Sequence, residues 1–176
     1  MDVTTIVRSA IGSVLERDLN TLRREVEAYA DERDLWRSAP GIPNTAGTLV
    51  LHLTGNLQHY FGALLGGTGY VRDRPAEFAR RDVPRSELLR EIDAARQAVK
   101  SGLARLTSAQ LISDYPEASA GATLVTAEFL IHLTTHFAYH LGQVDYHRRA
   151  VAGNPEPVGA MRPAELSSAR MSEVKA

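Results

Sequence analysis

The sequence contains no cysteine. This absence excludes disulfides, a cysteine nucleophile, iron–sulfur clusters and cysteine-ligated zinc. Any metal ion would therefore have to be bound by histidine, aspartate or glutamate side chains. Six histidines occur among the 176 residues, and their positions are the first chemical feature to consider.

The sequence also lacks an excess of charge of either sign and a long apolar run. Lysine and arginine number 20 against 21 aspartates and glutamates, which leaves no overall field to attract nucleic acid or an anionic membrane. No segment approaches the roughly 20 apolar residues of a membrane-spanning helix. The first residues, MDVTTIVRSAIG, have neither the basic start nor the apolar run of a secretory signal. We therefore expect a cytoplasmic protein without a nucleic-acid or membrane partner.

Apolar residues recur at helical spacing in four segments of the chain. The predicted helices cover approximately residues 2–29, 44–65, 84–107 and 123–150. Asn44 or Thr45 can cap the second helix. Asp82 is a candidate cap for the third helix, and Thr123 or Thr126 for the fourth.

The connections between these helices contain proline, glycine or many charges. Two prolines and a glycine in residues 38–43 must end the first helix, and three glycines in residues 66–69 end the second. The segment 70–84 contains RDRPAEFARRD, has no clear period, and is predicted to be a loop. Residues 108–121 are predicted to be an irregular connection with a short helical turn at its start.

Four long helices with short or medium connections predict an all-α fold, a four-helix bundle. After Gly153 the chain has two prolines and few large apolar residues before Met161. We therefore predict one domain over residues 1–153 and a flexible tail over residues 154–176.

The strongest chemical signal is a row of histidines in the fourth helix. His132, His136 and His140 follow one another at four-residue steps and share one face. Neighbouring pairs can bind one ion about 2 Å from each nitrogen, but the outer two are separated by roughly 12 Å of helical rise. One ion therefore takes either the first or the second pair, and spacing leaves this choice open. In the second helix, LVLHLTGNLQHY, the apolar surroundings of His52 make it a better third ligand than His59.

Other residues have ordinary structural interpretations. A lone histidine is more often a satisfied core residue or a solvated one, which is the interpretation we favour for His59, His132 and His147. Glu128 could complete a site of two histidines and one carboxylate, but a solvent-facing capping role is favoured. The charged segment around RDRPAEF could bind an anion, yet such segments are more often solvated connections. Trp36 is expected to anchor the core or a lid.

Two segments carry a resemblance to a known family. HFAYHLGQV resembles the H-x-x-x-H-x-G-Q signature of the DinB-like superfamily, and PNTAGTLVLHLTGNLQHYFGALLGG followed by RDRPAEF resembles a subgroup with an asparagine-containing turn before an HLxGN helix. The resemblance covers roughly residues 1–150. It implies an up-down-down-up bundle with a metal site formed by His52, His136 and His140. The resemblance thus selects between the histidine pairs that spacing leaves open.

The signature in the fourth helix differs from the family pattern at one position. Leu141 stands where many relatives have arginine, so any role of that arginine is absent here. Gly142 is expected to permit the close approach of a neighbouring helix. Gln143 lies one turn beyond His140 and is expected to bond a neighbouring helix or to support the site.

A divalent metal with three protein ligands keeps an open position, as in catalytic centres. Such an ion lowers the pKa of a bound water or thiol. The superfamily includes transferases and isomerases that use mycothiol, bacillithiol or glutathione. The resemblance therefore implies a zinc- or nickel-dependent S-transferase that acts on a small-molecule substrate, with residues 66–84 at the substrate entrance.

Two alternatives to a transferase stay open. The first is a metalloprotein of unassigned or non-enzymatic, stress-response role, in which the ion stabilises the helices. The second is a metal-dependent hydrolase, for which Glu128 or His132 would be the candidate base. No catalytic residue is assigned from the sequence. Apolar residues on the first and fourth helices are compatible with a homodimer.

Overall fold

The computed structural model describes residues 2–170. Its α-helices are α1 (Val3–Glu27), α2 (Ala46–Leu57), α3 (Arg74–Ala79), α4 (Arg85–Arg105), α5 (Ser108–Leu111) and α6 (Thr126–Ala152). A π-helix over Gln58–Leu65 continues α2, and short 3-10 turns cover Glu32–Trp36 and Pro163–Glu165. No β-strand occurs in this range, so the predicted all-α class is confirmed. None of the helices among residues 2–170 combines the length and the apolar character that a membrane span requires.

One of the three predicted helix caps is correct. The hydroxyl of Thr45 accepts a hydrogen bond from the backbone amide three residues later and caps α2. Asp82 has a φ of 55° and does not cap α4, where Pro84 is the N-cap residue. Neither threonine caps α6, because Val125 is the N-cap residue and Thr126 is already helical.

The charged segment 70–84, predicted to be a loop, contains the short helix α3. Its start has two favourable features, since Asp73 accepts a hydrogen bond from the Ala76 amide at 3.0 Å and Pro75 lies in the first turn. A helix of six residues is too short to show a clear apolar period. Because this segment is helical, Glu77 faces inward and is buried.

Contacts along α1 and α4 show that these helices are antiparallel. Arg8, near the start of α1, donates a hydrogen bond to the carbonyl of Ala104 at the end of α4, at 2.9 Å. Arg23, near the end of α1, contacts Asp93 in the first half of α4, at 2.6 Å. The two helices therefore run in opposite directions.

The helix formed by α2 and the π-segment runs parallel to α4. Gln58 donates a hydrogen bond to Glu91 in the first half of α4, at 2.8 Å. Further along both helices, a Cβ added at Gly62 would lie 2.9 Å from the Cβ of Ala98. The second and third long helices therefore point the same way.

The last long helix, α6, is antiparallel to α2. The rings of His52 and His140 lie 5.3 Å apart, whereas Tyr60, later in the chain, lies 5.0 Å from Phe129 at the start of α6. Together with the directions of α1 and α4, this gives the order up-down-down-up. The architecture is that of a DinB-like bundle.

The π-helix brings the chain unusually close to α4. The hydrogen bond typical of a π-helix spans five residues, and here the amide of Gly66 donates to the carbonyl of Phe61 at 2.9 Å. A Cβ added at Gly102 of α4 would lie only 2.3 Å from that carbonyl oxygen. Glycine is therefore required at position 102 for the two helices to approach this closely.

A buried ion pair joins α1 to α6. Neither Glu25 nor Arg148 has measurable solvent exposure, and the guanidinium donates to the carboxylate at 2.5 Å. Arg148 also donates to Asp145 and to the backbone carbonyls of Asn154 and Glu156. One guanidinium thus holds both helices and the chain that follows α6.

The segment after α6 returns along α1. Arg24 donates hydrogen bonds to the carbonyls of Val158, at 2.8 Å, and Gly159, at 3.1 Å. Residues 171–176 of the predicted tail lie outside the described residues, and the division of the chain after residue 153 stays a prediction.

Replacing Arg148 with methionine should destabilise the fold by about 3–5 kcal/mol, because the carboxylate of Glu25 would stay buried without its partner. The comparison is Arg149→Met, which removes a partly exposed ion pair with Asp145 and should cost much less than Arg148→Met, because solvent screens this pair. Urea unfolding followed by circular dichroism measures both values. Equal losses for the two variants would contradict this account.

Candidate metal centre

Three histidines from two helices meet at one end of the bundle. His52 extends from α2, and His136 and His140 extend from α6, so that one ring nitrogen of each lies within 4.8 Å of the others. The Nε2 atoms of His52 and His136 are 3.4 Å apart. Bonds of 2.0–2.1 Å to a tetrahedral ion place two ligand nitrogens about 3.3 Å apart. This pair therefore already has the separation of two ligands of one ion.

A buried carboxylate orients His52. The Nδ1 atom of His52 donates to Glu77 Oε2 at 3.0 Å, which leaves a lone pair on Nε2. Arg72 donates to both oxygens of the same carboxylate, at 2.6 and 2.9 Å. Burial raises the pKa of Glu77, but the hydrogen bonds from His52 and Arg72 outweigh it, and the net pKa is lowered. The carboxylate is therefore ionised when it receives these hydrogen bonds.

Gly55 makes room for this carboxylate. A Cβ at position 55 would lie 2.3 Å from Glu77 Oε1, closer than any stable contact. The residue belongs to the HLxGN segment noted in the sequence, and the requirement is steric, because the helix backbone itself is regular here. Any larger side chain would displace Glu77 from His52.

The other two histidines are held neutral. His140 Nδ1 donates to the side-chain oxygen of Gln143 at 2.7 Å, which again leaves Nε2 with its lone pair. Burial lowers the pKa of His140, although the bond to Gln143 raises it. Burial, followed by the neighbouring rings of His140 and His52, lowers the pKa of His136 to about 4. Neutral imidazole is the form that binds a metal ion.

These residues fit a divalent ion. The Nε2 atoms of His52 and His136 face each other. The proton of the His52 ring lies on Nδ1, where it forms the hydrogen bond to Glu77. A cation between the rings would be bonded by the lone pair that this tautomer leaves on His52 Nε2 and by Nε2 of His136, whose buried Nδ1 has no hydrogen-bond partner among the described residues. Three imidazole ligands suit zinc, nickel and related ions, whereas magnesium and calcium prefer oxygen ligands.

A polar cavity of about 510 Å³ opens onto the three histidines. Asparagine, arginine, tyrosine and histidine side chains line it together with aromatic rings. Those beyond the three histidines include Asn44, Asn56, Tyr60, Arg72, Arg74, Phe78, Phe129 and His132. The guanidinium of Arg74 lies over the ring of Phe78, 5.1 Å from its centre. The cavity can therefore bind a small polar molecule beside the histidines.

The remaining histidines do not join this cluster. His132 lines the cavity, but its ring centre is 6.1 Å from that of His136, one turn away. His59 donates to Glu117 at 3.1 Å. His147 is buried in the core, where it donates to a backbone carbonyl and accepts from a tyrosine hydroxyl. Spacing left two pairs open, and the structure brings the second pair to His52.

The residues that orient His52 were missed by sequence reasoning. Arg72 and Glu77 lie in the segment predicted to be a solvated loop, yet Glu77 is buried and Arg72 is partly buried. The available signals were the helix start at Asp73 and Pro75 and the similarity of RDRPAEF to the subgroup. Neither feature predicts that the carboxylate of Glu77 contacts a histidine on another helix.

Two further expectations have clear outcomes. Glu128 is exposed in the first turn of α6 and does not line the cavity, so it is not part of the histidine cluster. Gly142 was expected to permit close helix approach, which is wrong. A Cβ added there would meet no atom within 4 Å among the described residues, because this side of α6 is open.

Trp36 anchors the connection between α1 and α2. Its indole nitrogen donates to the carbonyl of Val83 at 3.2 Å, and its ring lies directly against Gly47. A Cβ at position 47 would come within 2.5 Å of the indole. The tryptophan is therefore a packing anchor beside the first turn of α2.

The lowered pKa of His136 predicts a pH-dependent stability of the metal-free protein. The ordinary value is 6.5 and the folded value is about 4, so between these values the unfolded chain binds a proton that the folded chain does not. The free energy of unfolding should therefore fall as the pH is lowered from 6.5 to about 4. His136→Gln should make the dependence of this free energy on pH shallower. The remaining pH dependence would come from His140 and His147, whose pKa values are also lowered. Chemical denaturation across this range tests it, and an NMR titration midpoint of His136 near 6.5 would contradict it.

Comparison with known protein families identifies a relationship over most of the chain. A family model described as mycothiol-S-transferase (MST) matches residues 10–153, which is most of the chain and includes all three clustered histidines. No curated protein and no solved structure matches the chain.

Proposed function

The chain belongs to the mycothiol-S-transferase family, and on that premise we propose that it is a metal-dependent transferase that activates a low-molecular-weight thiol, with mycothiol as the first candidate. The observation that carries the proposal is the meeting of His52, His136 and His140 beside a polar cavity. A family match of this kind supports the type of reaction, while the geometry supports where it takes place.

His52, His136 and His140 would hold the ion, for which zinc and nickel are the best candidates. The Nδ1 atoms of His52 and His140 each donate a hydrogen bond to a side-chain oxygen, and this directs Nε2 of both rings toward the common centre. When bound there, a divalent metal lowers the pKa of a coordinated thiol, so that the nucleophilic thiolate forms at neutral pH.

The chain's own residues would bind and orient the thiol. Asn44, Asn56 and Arg74 line the cavity and offer hydrogen-bonding groups for the polar body of the molecule. Glu77 is a poor proton acceptor because both of its oxygens already receive hydrogen bonds. His132 also lines the cavity and is the histidine outside the cluster that is placed to receive the thiol proton.

Metal and thiol binding test the proposal. Protein purified without added metal should contain about one equivalent of zinc or nickel, and His136→Ala should lose most of it, because one of only three ligands is removed. Cobalt-substituted protein should develop a thiolate-to-metal absorption band when mycothiol is added. The matched control is the mycothiol analogue with a hydroxyl in place of the thiol, which should give no such band.

Other outcomes would favour other functions. Bound metal without a band for mycothiol, bacillithiol or glutathione would contradict thiol activation and favour hydrolysis or a binding role. Chelation that unfolds the bundle would indicate a structural ion. An absence of metal in both proteins would contradict the centre itself.

The carboxylate over Gly55 provides a second prediction. Gly55→Ala should lower metal affinity about 10- to 100-fold, because its Cβ would displace Glu77 from His52. Gly142→Ala is the matched control, since its Cβ meets no neighbouring atom, and it should leave metal affinity unchanged. Competition with a chromophoric chelator measures both affinities. If the two variants bound metal equally well, Glu77 would not be positioning His52.

A further inference from the structure

We propose that a groove beside the metal cavity binds the second substrate of S-transfer, and that this acceptor is an uncharged electrophile with an apolar, aromatic body. The inference rests on the proposed function, because a transferase must hold a thiol and an acceptor at the same centre. It adds a binding site and a class of acceptor that the family match does not specify.

The groove lies between the connection before α2 and the outer face of α6. Its volume is about 410 Å³, within the range of roughly 300–1,000 Å³ that is usual for small-molecule sites. Its walls are mainly apolar and aromatic, formed by Ile42, Pro43, Leu49, Tyr139 and Tyr146. The last two side chains are 68% and 74% exposed, so their rings are free to cover a ligand.

The groove and the metal cavity meet at the candidate centre. His140 and Asn44 line both spaces. The ring of Tyr139 lies edge-on to that of His140, with their centres 5.2 Å apart, and Gln143, which accepts from His140, also lines the groove. A molecule in the groove would therefore have its inner end beside His140, on a side that the cavity does not occupy.

The two spaces differ in charge. Arg72 and Arg74 line the metal cavity, whereas the residues that line the groove carry no aspartate, glutamate, lysine or arginine. An apolar body without charge loses little hydration on entering such a groove, while a charged one would lose hydration without gaining a partner. Polar thiol and apolar acceptor are thus directed to different spaces.

Two adjoining binding spaces suit a reaction in which a thiol and an acceptor must meet. The thiol first gives its proton to His132, which lines the cavity outside the histidine cluster. The thiolate sulfur then uses an electron pair to form a bond to an electrophilic carbon, and the bond from that carbon to its leaving group breaks, so that the group departs with its electron pair. The reacting atoms must come within about 3–3.5 Å, which requires the acceptor beside the thiol rather than in its cavity.

The kinetic test compares acceptors of different size. With mycothiol as thiol, Tyr146→Ala should raise the KM for 1-chloro-2,4-dinitrobenzene about tenfold, because an aromatic wall is lost. The KM for mycothiol and the rate with iodoacetamide, which is too small to depend on that wall, should stay unchanged. Ile131→Ala is the matched control, since Ile131 is also exposed on α6 but lies outside the groove.

A binding test without turnover separates this inference from the proposed function. The unreactive 2,4-dinitrotoluene should bind to both metal-loaded and metal-free protein in NMR titrations. Tyr146→Ala should weaken this binding about tenfold, through the lost contact of one aromatic ring, and Ile131→Ala should not. If the wild-type protein transfers no sulfur but shows this pattern, the proposed function fails and the groove still binds apolar aromatic compounds.

Two results would overturn the inference. The first is transfer to the aromatic acceptor with an unchanged KM in both Tyr139→Ala and Tyr146→Ala. The second is a wild-type dimer that becomes a monomer in Tyr146→Ala, measured by light scattering, because the groove would then be a contact between two copies of the chain.

Discussion

The hydrogen bond from His52 to the buried carboxylate of Glu77 is the interaction on which the candidate centre depends. It fixes the ring of His52 and the nitrogen that carries its lone pair. Several features of the fold serve this one contact. The short helix α3 turns Glu77 inward, Arg72 neutralises it, and the bare backbone of Gly55 leaves space for it. A segment that looks like a charged loop is therefore part of the site.

Two spaces with different linings adjoin the candidate centre. One side is a polar cavity with arginine and asparagine side chains, and the other is an apolar groove walled by tyrosines. His140 belongs to both, because it extends from α6 at the boundary between them. The arrangement allows a polar thiol and an apolar acceptor to reach one centre from different directions, which is the requirement of the proposed transfer reaction.

Much of the fold follows from local patterns. The four long helices were predicted because their apolar residues repeat with the helical period, and their ends agree with the structure to within a few residues. The errors fall where local rules are weak. Asp82 does not cap α4 because its backbone is left-handed, with a φ of 55°. Thr126 does not cap α6 because it already lies in the helix, where its amide and its hydroxyl both donate to the carbonyl of Ser113. The short helix α3 was missed because six residues carry too little periodicity.

The sequence by itself determined the four long helices and placed His136 one turn from His140, since that spacing depends only on the geometry of a single helix. Spacing left open which pair meets His52, and the family resemblance selected His136 and His140. Only the tertiary structure supplies the contacts that bring the three together. The register of α2 against α6 brings His52 to this pair, and residues 72–77 reach it from a separate element. The adjoining groove likewise depends on how the chain before α2 packs on α6. These are contacts between distant segments, and no local spacing rule describes them.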